Sequence, residues 1–511
     1  MRTTTEVSSM HLSRRALLAA AAGSAGAAAV GTAPARAGGA GLPPAVRALE
    51  DQIQAGMARY RIPGVSYGLL YRGRQYVRGF GVTDVADPAP VTADTMFRVA
   101  STTKTFTGTA VLRLVERGRL DLDRTVRSYL PGFRTSDPAA SARVTVRQLL
   151  QHTAGWLGDY FFDTGTQDGA LAAYVEGMAR LPQLTPPGRV FQYNNAALSV
   201  AGRLVEVVTG TSYEEAVKTL ILEPLRLRHS EFFPGDVPGG VVATPHGPDG
   251  TGAPVPVPQA LAMPRGVHPA GGLISSARDQ LSWALYHLGD GRPLLRRSTL
   301  RAMQSRPGPG GTLFVELDGY GLSWMLRPTA EGPTVVQHGG DWPGHHSGFL
   351  MVPERGMALT VLTNSESGAE LTAELFAGDS VLARLAGVHN LPAVPLSLPD
   401  AQLAGYTGSY SGSSVGPDGV LYTDSFDVVA DAGQLSLRDD GQELLRLAFY
   451  RKDYVKVLLP DGTDTLFRAD FVRGADGTVA WVRYSGRLYR RGGPATLAAP
   501  ARHRPLFPPV I

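Results

Sequence analysis

Residues 97–108 read Phe-Arg-Val-Ala-Ser-Thr-Thr-Lys-Thr-Phe-Thr-Gly, and the rest of the chain can be interpreted around them. A strand-like segment, Phe97 to Ala100, leads into Ser101, and an apolar helical pattern then continues as far as Gly118. Ser101 and Lys104 are three residues apart, so on a helix they share one face and the serine Oγ can meet the lysine Nζ. The positive potential of a helix N-terminus also favours oxyanion character at the serine.

This pair predicts nucleophilic catalysis. A serine hydroxyl is a weak nucleophile until a base takes its proton, and a desolvated lysine can act as that base. The alternative is a solvated helix start with a chance lysine. The chain has only four lysines, Lys104, Lys218, Lys452 and Lys456, and arginine supplies the other 45 basic residues. A rare lysine at this position therefore favours Ser101 as nucleophile with Lys104 beside it.

Strand signals lie on both sides of a long helical region. Val65 to Leu70 turns at Arg72-Gly73 and returns as a hairpin. Further strands are expected at Tyr320 to Met325, Thr334 to His338, Gly348 to Val352 and Met357 to Thr363. The pattern predicts an α+β fold, in which distant pieces of chain form one sheet and helices are inserted between them.

Other motifs follow in a fixed order between about Pro63 and Ser365. They are Ile62-Pro63-Gly64-Val65, Ser101 to Lys104, Leu149-Leu150-Gln151-His152-Thr153-Ala154-Gly155, Pro186-Pro187-Gly188 before Tyr193-Asn194-Asn195, Pro269-Ala270-Gly271-Gly272-Leu273, and His338-Gly339-Gly340. In this combination the chain resembles the serine hydrolases related to class C β-lactamases, penicillin-binding D-Ala-D-Ala carboxypeptidases, family VIII esterases and D-aminopeptidases.

The resemblance implies a β-lactamase/transpeptidase-like fold, an antiparallel sheet flanked by helices with an all-helical subdomain. It also implies catalytic roles for Tyr193 and Asn195. A phenol ionises near pH 10, but Lys104 nearby is expected to favour the phenolate and make Tyr193 a base. Asn195 is expected to hydrogen-bond Lys104 and the substrate.

By the resemblance, the site has three sequence motifs: Ser101 to Lys104, Tyr193 to Asn195, and His338-Gly339-Gly340. The third motif is expected on a strand that borders the site. Small residues there are expected to let the substrate approach the backbone. The expected oxyanion hole consists of the backbone N–H groups of Ser101 and Asp341.

Two further patterns suggest other chemistry. Gly64-Val65-Ser66-Tyr67-Gly68 fits the nucleophile elbow of α/β-hydrolases, but that elbow needs a helix after it, and here a hairpin strand follows. His338, Asp341, His345 and His346 suggest a metal site, but no spacing typical of metal ligands supports it. We therefore expect the adjacent histidines to lie at the rim of the site.

Composition divides the chain into segments. Arg14-Arg15 before a weakly apolar run, with Ala35-Arg36-Ala37 behind it, is typical of a twin-arginine signal that is cleaved near Ala37. After the Pro-rich linker, turns rich in Asp and Gly separate short strands, which resemble the lipocalin-like appendage of some relatives. The predicted segments are a signal at 1–37, the hydrolase domain at 38–390, a linker at 391–400, a β domain at 401–495 and a Pro-rich tail at 496–511.

Charge and composition exclude several classes of function. The formal net charge is +4, and residues 1–37 carry +3 of it. The rest of the chain is nearly neutral and lacks the excess positive charge that is typical of nucleic-acid-binding proteins. Cysteine is absent, which excludes disulfides and thiolate metal sites. No segment outside the signal approaches the roughly 20 apolar residues of a membrane span. We expect an extracytoplasmic protein without a stable membrane span.

The predicted activity is acyl transfer through an acyl-enzyme, without a cofactor. The substrate is a small molecule or a peptide, with cell-wall material among the candidates, and its class stays open between esters, D-amino-acid peptides and β-lactams. Alternatives are a D-Ala-D-Ala carboxypeptidase, a β-lactamase, or a β-lactam sensor that acylates without turnover. A scaffold with a decayed site is disfavoured because Ser101, Lys104, Tyr193 and Asn195 are all present.

Overall fold

A computed structural model describes residues 41–237, 241–305, 307–431 and 433–493, and the backbone of 502–503. The predicted signal and most of the predicted tail lie outside the described residues. The α-helices are α1 (Pro44–Tyr60), α2 (Thr103–Glu116), α3 (Pro138–Arg143), α4 (Val146–Leu150), α5 (Ala170–Gly177), α6 (Asn195–Thr209), α7 (Tyr213–Val217), α8 (Glu223–Leu225), α9 (His268–Gly271), α10 (Ala277–Leu288), α11 (Arg297–Met303), α12 (Gly368–Phe376), α13 (Ser380–Ala386) and α14 (Asp400–Leu403).

The strands fall into a central sheet, three small sheets and a C-terminal sheet. They are β1 (Gly64–Tyr71), β2 (Arg74–Gly81), β3 (Met96–Arg98), β4 (Ser230–Glu231), β5 (His246–Pro248), β6 (Pro254–Pro256), β7 (Ile274–Ser276), β8 (Gly311–Thr312), β9 (Glu316–Leu317), β10 (Gly319–Tyr320), β11 (Met325–Arg327), β12 (Val335–Trp342), β13 (His345–Val352), β14 (Met357–Thr363), β15 (Gly408–Val415), β16 (Leu421–Asp431), β17 (Gln434–Asp439), β18 (Gln442–Arg451), β19 (Tyr454–Leu458), β20 (Asp464–Arg473), β21 (Val479–Tyr484), β22 (Arg487–Arg491) and β23 (Arg502–His503).

The central sheet joins the two ends of the predicted hydrolase domain. Its order is β10-β11-β12-β13-β14-β1-β2, and β1 pairs antiparallel with β14, so that Val65 lies opposite Thr363. The predicted hairpin turn is present: Arg72 and Gly73 have φ values of 50° and 73°, the geometry that matches the twist of the flanking strands. These observations confirm the predicted α+β fold.

One predicted strand is divided in two. The run from Tyr320 to Met325 was expected to be continuous, but β10 ends at Tyr320 and β11 begins at Met325. Gly321 N–H donates to the Trp324 carbonyl and Ser323 has a φ of 69°, so the chain reverses between them. The two halves then pair with each other as a short hairpin.

Both faces of the central sheet are covered. Alternate residues of β12 point to opposite sides, as a strand requires: Val335 joins an apolar cluster with α1, α12 and α13, whereas Val336 joins the large cluster that contains α2, α6 and α10. The nucleophile candidate lies on the second side. None of the helices in the described ranges is long and apolar enough to cross a membrane.

The C-terminal segment forms a closed antiparallel barrel. Strands β15 to β22 pair in sequence, and β15 pairs with both β16 and β22, which closes the sheet. Alternate side chains such as Leu435, Leu437, Val455 and Val457 fill its interior. The predicted β domain is thus confirmed as an eight-stranded barrel of lipocalin-like architecture.

A buried ion pair anchors the barrel to the hydrolase domain. Arg483 Nη2 lies 2.6 Å from Asp470 Oδ2, and both side chains are almost completely buried. Asp470 also accepts hydrogen bonds from the backbone N–H and the hydroxyl of Thr312 in the β8–β9 hairpin. Arg483 donates to the carbonyl of Phe191, close to the predicted catalytic tyrosine.

We expect Asp470→Ala to destabilise the protein by about 3–5 kcal/mol, because it leaves a buried guanidinium without its partner. The free energy of unfolding in urea measures this. The matched control is Glu443→Ala, which breaks the more exposed Glu443–Arg446 pair of β18 and is expected to cost less than about 1 kcal/mol. Equal losses in the two variants would contradict an anchoring role for Asp470.

Candidate functional site

The predicted nucleophile lies in a strained turn at the start of α2. A 3-10 turn, Ala100–Thr102, separates β3 from the helix, and Ser101 is 5% exposed. Ala100 has a φ of 44°, in the left-handed region that a residue with a Cβ rarely adopts. Strain of this kind is concentrated at functional sites, where the surrounding structure holds it in place.

Lys104 lies directly beside this serine. Its Nζ is 2.7 Å from Ser101 Oγ and 2.7 Å from the carbonyl oxygen of Ala270, in the short helix α9 before β7. Burial, assisted by the positive charge of Arg487, lowers the pKa of the Lys104 amine well below its usual range, and Asp159 opposes this only in part. A neutral amine has a free lone pair, so this environment suits Lys104 to accept the serine proton.

Tyr193 lies under the same lysine, which is 4.9 Å from its ring centroid. The side chain is fully buried, and burial raises the pKa of its phenol above the usual value, although the Ser101 hydroxyl and Arg487 partly oppose this. The expected phenolate is therefore disfavoured: the nearby lysine is itself desolvated and does not supply the charge that a phenolate needs. The neutral phenol is the form that this environment favours.

Asn195 is held by a residue that the sequence did not single out. Its Nδ2 donates to Asp159 Oδ1 at 2.9 Å, and Asp159 forms a buried ion pair with Arg487, with Oδ2 2.9 Å from Nε. The expected hydrogen bond from Asn195 to Lys104 is not among the contacts of the described residues. Asn195 instead connects the start of α6 to a carboxylate and, through it, to the barrel.

The barrel reaches the predicted catalytic residues through one hairpin turn. Arg487 begins β22, and its guanidinium carbon is 5.0 Å from the centroid of the Tyr193 ring. In the same turn, the carbonyl oxygen of Gly486 accepts a hydrogen bond of 2.9 Å from the Tyr193 N–H. A Cβ on Gly486 would come within 2.3 Å of Leu313 and 3.0 Å of Tyr193, so the close approach requires glycine.

The ring of His338 lies near the ring of Tyr193. Among the contacts of the described residues, His338 forms no hydrogen bond with Ser101 or Lys104. Its Nδ1 donates to the Gly339 carbonyl at 2.7 Å, and Tyr320, also missed by the sequence analysis, donates from its hydroxyl to Nε2 at 3.0 Å. Burial is the main cause that lowers the pKa of His338 to about 3. The imidazole is thus neutral at physiological pH, with both nitrogens occupied.

The glycines that follow His338 have different surroundings. A Cβ on Gly340 would lie 2.4 Å from the Ser101 backbone nitrogen and 2.4 Å from the Val99 carbonyl oxygen. Gly340 therefore lets β12 pack directly against the nucleophile turn. A Cβ on Gly339 would meet only the Ser347 carbonyl oxygen, at 3.0 Å, so this position is much more open.

The two adjacent histidines are not at the rim, which corrects the expectation. His345 accepts a hydrogen bond from the Arg98 N–H, and His346 contacts Asp341 through Nδ1; both histidines are 1% exposed. They alternate across β13 and point to opposite faces. The carboxylates of Asp341 and Glu366 outweigh burial and raise the pKa of His346 to about 9. Within the described residues, no group of three His, Asp or Glu side chains is placed to hold a metal ion.

Ser66, the serine of the elbow-like pattern, lies within β1 and is completely buried. Its hydroxyl donates to the carbonyl oxygens of Arg78 and Thr92, at 3.3 and 3.1 Å. A strand follows it, as the sequence predicts, and this argues against a nucleophilic role.

Comparison with known proteins gives this geometry a context. The family model described as Beta-lactamase matches residues 49–382, which include Ser101, Lys104, Tyr193, Asn195 and His338. The chain belongs to the beta-lactamase family. The predicted resemblance is therefore confirmed.

Relatives of this beta-lactamase-family protein include enzymes and penicillin-binding proteins. Penicillin-binding protein 4 of Amycolatopsis lactamdurans is 32% identical over 366 residues, which cover 70% of this chain and 96% of that protein. Esterase EstB of Burkholderia gladioli is 31% identical over 334 residues, 58% of this chain and 83% of the esterase.

Solved structures are similar to this chain over a length that includes the barrel. The crystal structure of SurE is similar with a TM-score of 0.67 and 28% identity, and the match covers 88% of this chain and 99% of that chain. A structure of SurE with D-Leu matches equally well, at 27% identity. The arrangement of a beta-lactamase-family domain with a C-terminal barrel is thus shared with a solved structure.

Proposed function

We propose that this beta-lactamase-family protein is an exported serine hydrolase that acts on neutral esters or amides through an acyl-enzyme on Ser101. The observation that carries the proposal is the 2.7 Å distance between Lys104 Nζ and Ser101 Oγ, with the lysine fully buried. Burial lowers the pKa of the Lys104 amine, and an amine that gives up its own proton more readily can supply the base that a serine nucleophile needs.

In the acylation step, Lys104 takes the Ser101 proton as Oγ attacks the substrate carbonyl carbon. The carbonyl electron pair moves to oxygen, which accepts hydrogen bonds from the backbone N–H groups of Ser101 and Asp341. When the tetrahedral intermediate collapses, Tyr193 protonates the leaving group and takes a proton from the Lys104 ammonium. Water then attacks the acyl-enzyme by the reverse proton route and restores Ser101.

The choice of neutral substrates rests on His338. β-Lactam-hydrolysing relatives commonly carry lysine at this position, where a fixed positive charge faces the substrate carboxylate. His338 is neutral and its two nitrogens are bound to Tyr320 and Gly339, so it offers no such charge. Relatives named as an esterase and as SurE with D-Leu are compatible with ester or amino-acyl substrates.

A substrate panel tests the proposed function. We expect steady turnover of short p-nitrophenyl esters or D-amino-acid anilides, with a kcat/KM above that for a chromogenic cephalosporin, because the carboxylate of the cephalosporin has no cation to bind. His338→Lys is expected to shift this preference by about ten-fold towards the cephalosporin. A reaction that stops after one equivalent would identify a sensor, and a wild-type preference for the cephalosporin would refute the choice of neutral substrates.

Export is tested separately. We expect replacement of Arg14 and Arg15 by lysine to leave the precursor inside the cell, because a twin-arginine signal depends on that pair. Cell fractionation and immunoblotting measure the distribution. Unchanged secretion of the variant would show that residues 1–37 are not a twin-arginine signal.

A further inference from the structure

The hydroxyl of Ser347 lies against the turn that carries the proposed nucleophile. Ser347 belongs to β13 and is almost completely buried. Its Oγ donates to the Val99 carbonyl oxygen at 2.8 Å, and Thr102 Oγ1 lies 3.1 Å from the same Oγ. Because the single hydroxyl proton of Ser347 is used at Val99, Thr102 is the donor in the second contact. One buried hydroxyl thus binds both ends of the turn.

These two contacts bracket the strained part of the turn. Ala100, with its positive φ, and Ser101 both lie between Val99 and Thr102. Backbone strain persists only where the surrounding structure holds it in place. Within the described residues, no backbone hydrogen bond joins residues 99–102 to β12 or β13. The side chain of Ser347 therefore supplies the polar connection between this turn and the central sheet.

The neighbouring strand leaves room for the turn to approach. Gly340 on β12 lies opposite Ser347 on β13, and residues that face each other across two antiparallel strands lie on the same face of the sheet. A Cβ on Gly340 would come within 2.4 Å of the Ser101 nitrogen, so the turn rests directly on the bare backbone of β12. The Ser347 hydroxyl is beside it, 3.4 Å from the Gly340 carbonyl oxygen.

This arrangement determines where the two proposed oxyanion donors lie. One donor is the backbone N–H of Ser101, inside the bracketed turn, and the other is the N–H of Asp341, which directly follows Gly340. An oxyanion hole requires both donors at about 2.7–3.1 Å from the position that the oxyanion will occupy. A misplacement of about 1 Å can lower a rate by about 10²-fold. A group that fixes the turn against β12 can therefore control the rate without contacting the substrate.

We infer that Ser347 is a positioning residue of the oxyanion hole, and that its hydroxyl keeps the Ser101 N–H at a fixed distance from the Asp341 N–H. The inference rests on the proposed hydrolase function and adds a residue that acts through the backbone of two others. Acylation and deacylation both pass through a tetrahedral oxyanion in this hole, so both steps depend on Ser347.

Ser347→Ala tests this role. We expect kcat for p-nitrophenyl acetate to fall about 30-fold, which is less than the loss of a whole oxyanion donor. KM is expected to stay within about two-fold, because acylation and deacylation slow together. Phenylboronic acid forms a tetrahedral adduct with the serine that places an oxygen in the hole, so its inhibition constant should rise by about the same factor as kcat falls.

The matched control is Ser141→Ala in α3. Ser141 is completely buried, and its hydroxyl bonds to the N–H and hydroxyl of Thr135 and to the carbonyl oxygen of Asp137. This variant is expected to lower the Tm about as much as Ser347→Ala does, but to leave kcat and the inhibition constant of phenylboronic acid unchanged. If Ser347→Ala does not fold, Thr102→Val removes only the donor to Ser347 and is expected to lower kcat about five-fold at constant KM.

The outcomes separate this inference from the proposed function. A folded Ser347→Ala or Thr102→Val protein with the kcat and the boronic acid affinity of the wild type would overturn the positioning role, and so would an equal loss of kcat in Ser141→Ala. In both cases an acetyl group on Ser101, detected by mass, would leave the proposed function intact. Activity that survives Ser101→Ala would refute the proposed function, and the role of Ser347 with it.

Discussion

Ser101→Ala is expected to lower kcat/KM by about 10⁴-fold or more while the protein stays folded. The reason is chemical: Lys104 can still deprotonate a water molecule, but no side chain is left to form the acyl-enzyme. Intact-mass measurement after mixing with p-nitrophenyl acetate should show an added acetyl group in the wild type and none in the variant. The free energy of unfolding should change little, since only a hydroxyl is removed.

The matched control is the other candidate serine. Ser66→Ala removes a buried hydroxyl that donates to two backbone carbonyls, so it is expected to cost about 1 kcal/mol of stability and to leave kcat/KM within about two-fold. If Ser66→Ala abolished acylation and Ser101→Ala did not, the assignment of the nucleophile would fail.

Arg487→Met is expected to lower kcat/KM by about 10²-fold, since small misplacements of catalytic groups have effects of this size. The variant keeps an unbranched apolar side chain but leaves Asp159 without its partner and Asn195 bound to an uncompensated carboxylate. It also removes a positive charge that lowers the pKa of Lys104. Arg490→Met, on the same strand but exposed, is the control and should behave as wild type.

The pH dependence gives this prediction a second readout. Lys104 must be neutral to act as base, so activity falls as the pH drops through the pKa of Lys104. Loss of Arg487 raises that pKa, and the remaining negative charge of Asp159 raises it too. The acidic limb of the kcat/KM profile should therefore move to higher pH in Arg487→Met. A profile that does not move, together with unchanged kcat/KM, would contradict a role for the barrel in the site.

This result also bears on the independence of the two domains. The sequence predicts that a chain ending near residue 394 stays folded, and this stays a prediction. Such a chain would lack Arg487 and the Gly486 carbonyl that binds the Tyr193 N–H. We expect it to share the activity loss of Arg487→Met even on small esters.

The sequence predicted those parts of the site that lie in short local patterns. Ser101 and Lys104 share one helix turn, and the β1–β2 hairpin follows from a two-residue turn, so spacing alone is enough to place them. The barrel strands were also predictable, because most of the turns between them are marked by Asp and Gly. Local patterns of this kind depend on a few neighbouring residues.

The parts that were missed depend on contacts between distant segments. The chain has 45 arginines, and Arg487 lies in an ordinary hairpin. Nothing in the sequence around Arg487 indicates that its side chain contacts Asp159, which lies 328 residues earlier. Tyr320 was interpreted only as part of a strand, yet it determines the hydrogen bonding of His338. The burial of His345 and His346 was likewise not predictable, because it depends on which elements cover each face of the sheet.

The hairpin that carries Gly486 and Arg487 has a consequence for the order in which the molecule matures. Ribosomes synthesise the chain from the N-terminus, so Ser101 emerges 386 residues before Arg487. Until the last strands of the barrel have closed, Asp159 has no cation and Tyr193 has no acceptor for its N–H. The complete site thus forms only at the end of biosynthesis, and a prematurely terminated chain would carry its proposed nucleophile without the groups that hold Tyr193 and Asn195 in place.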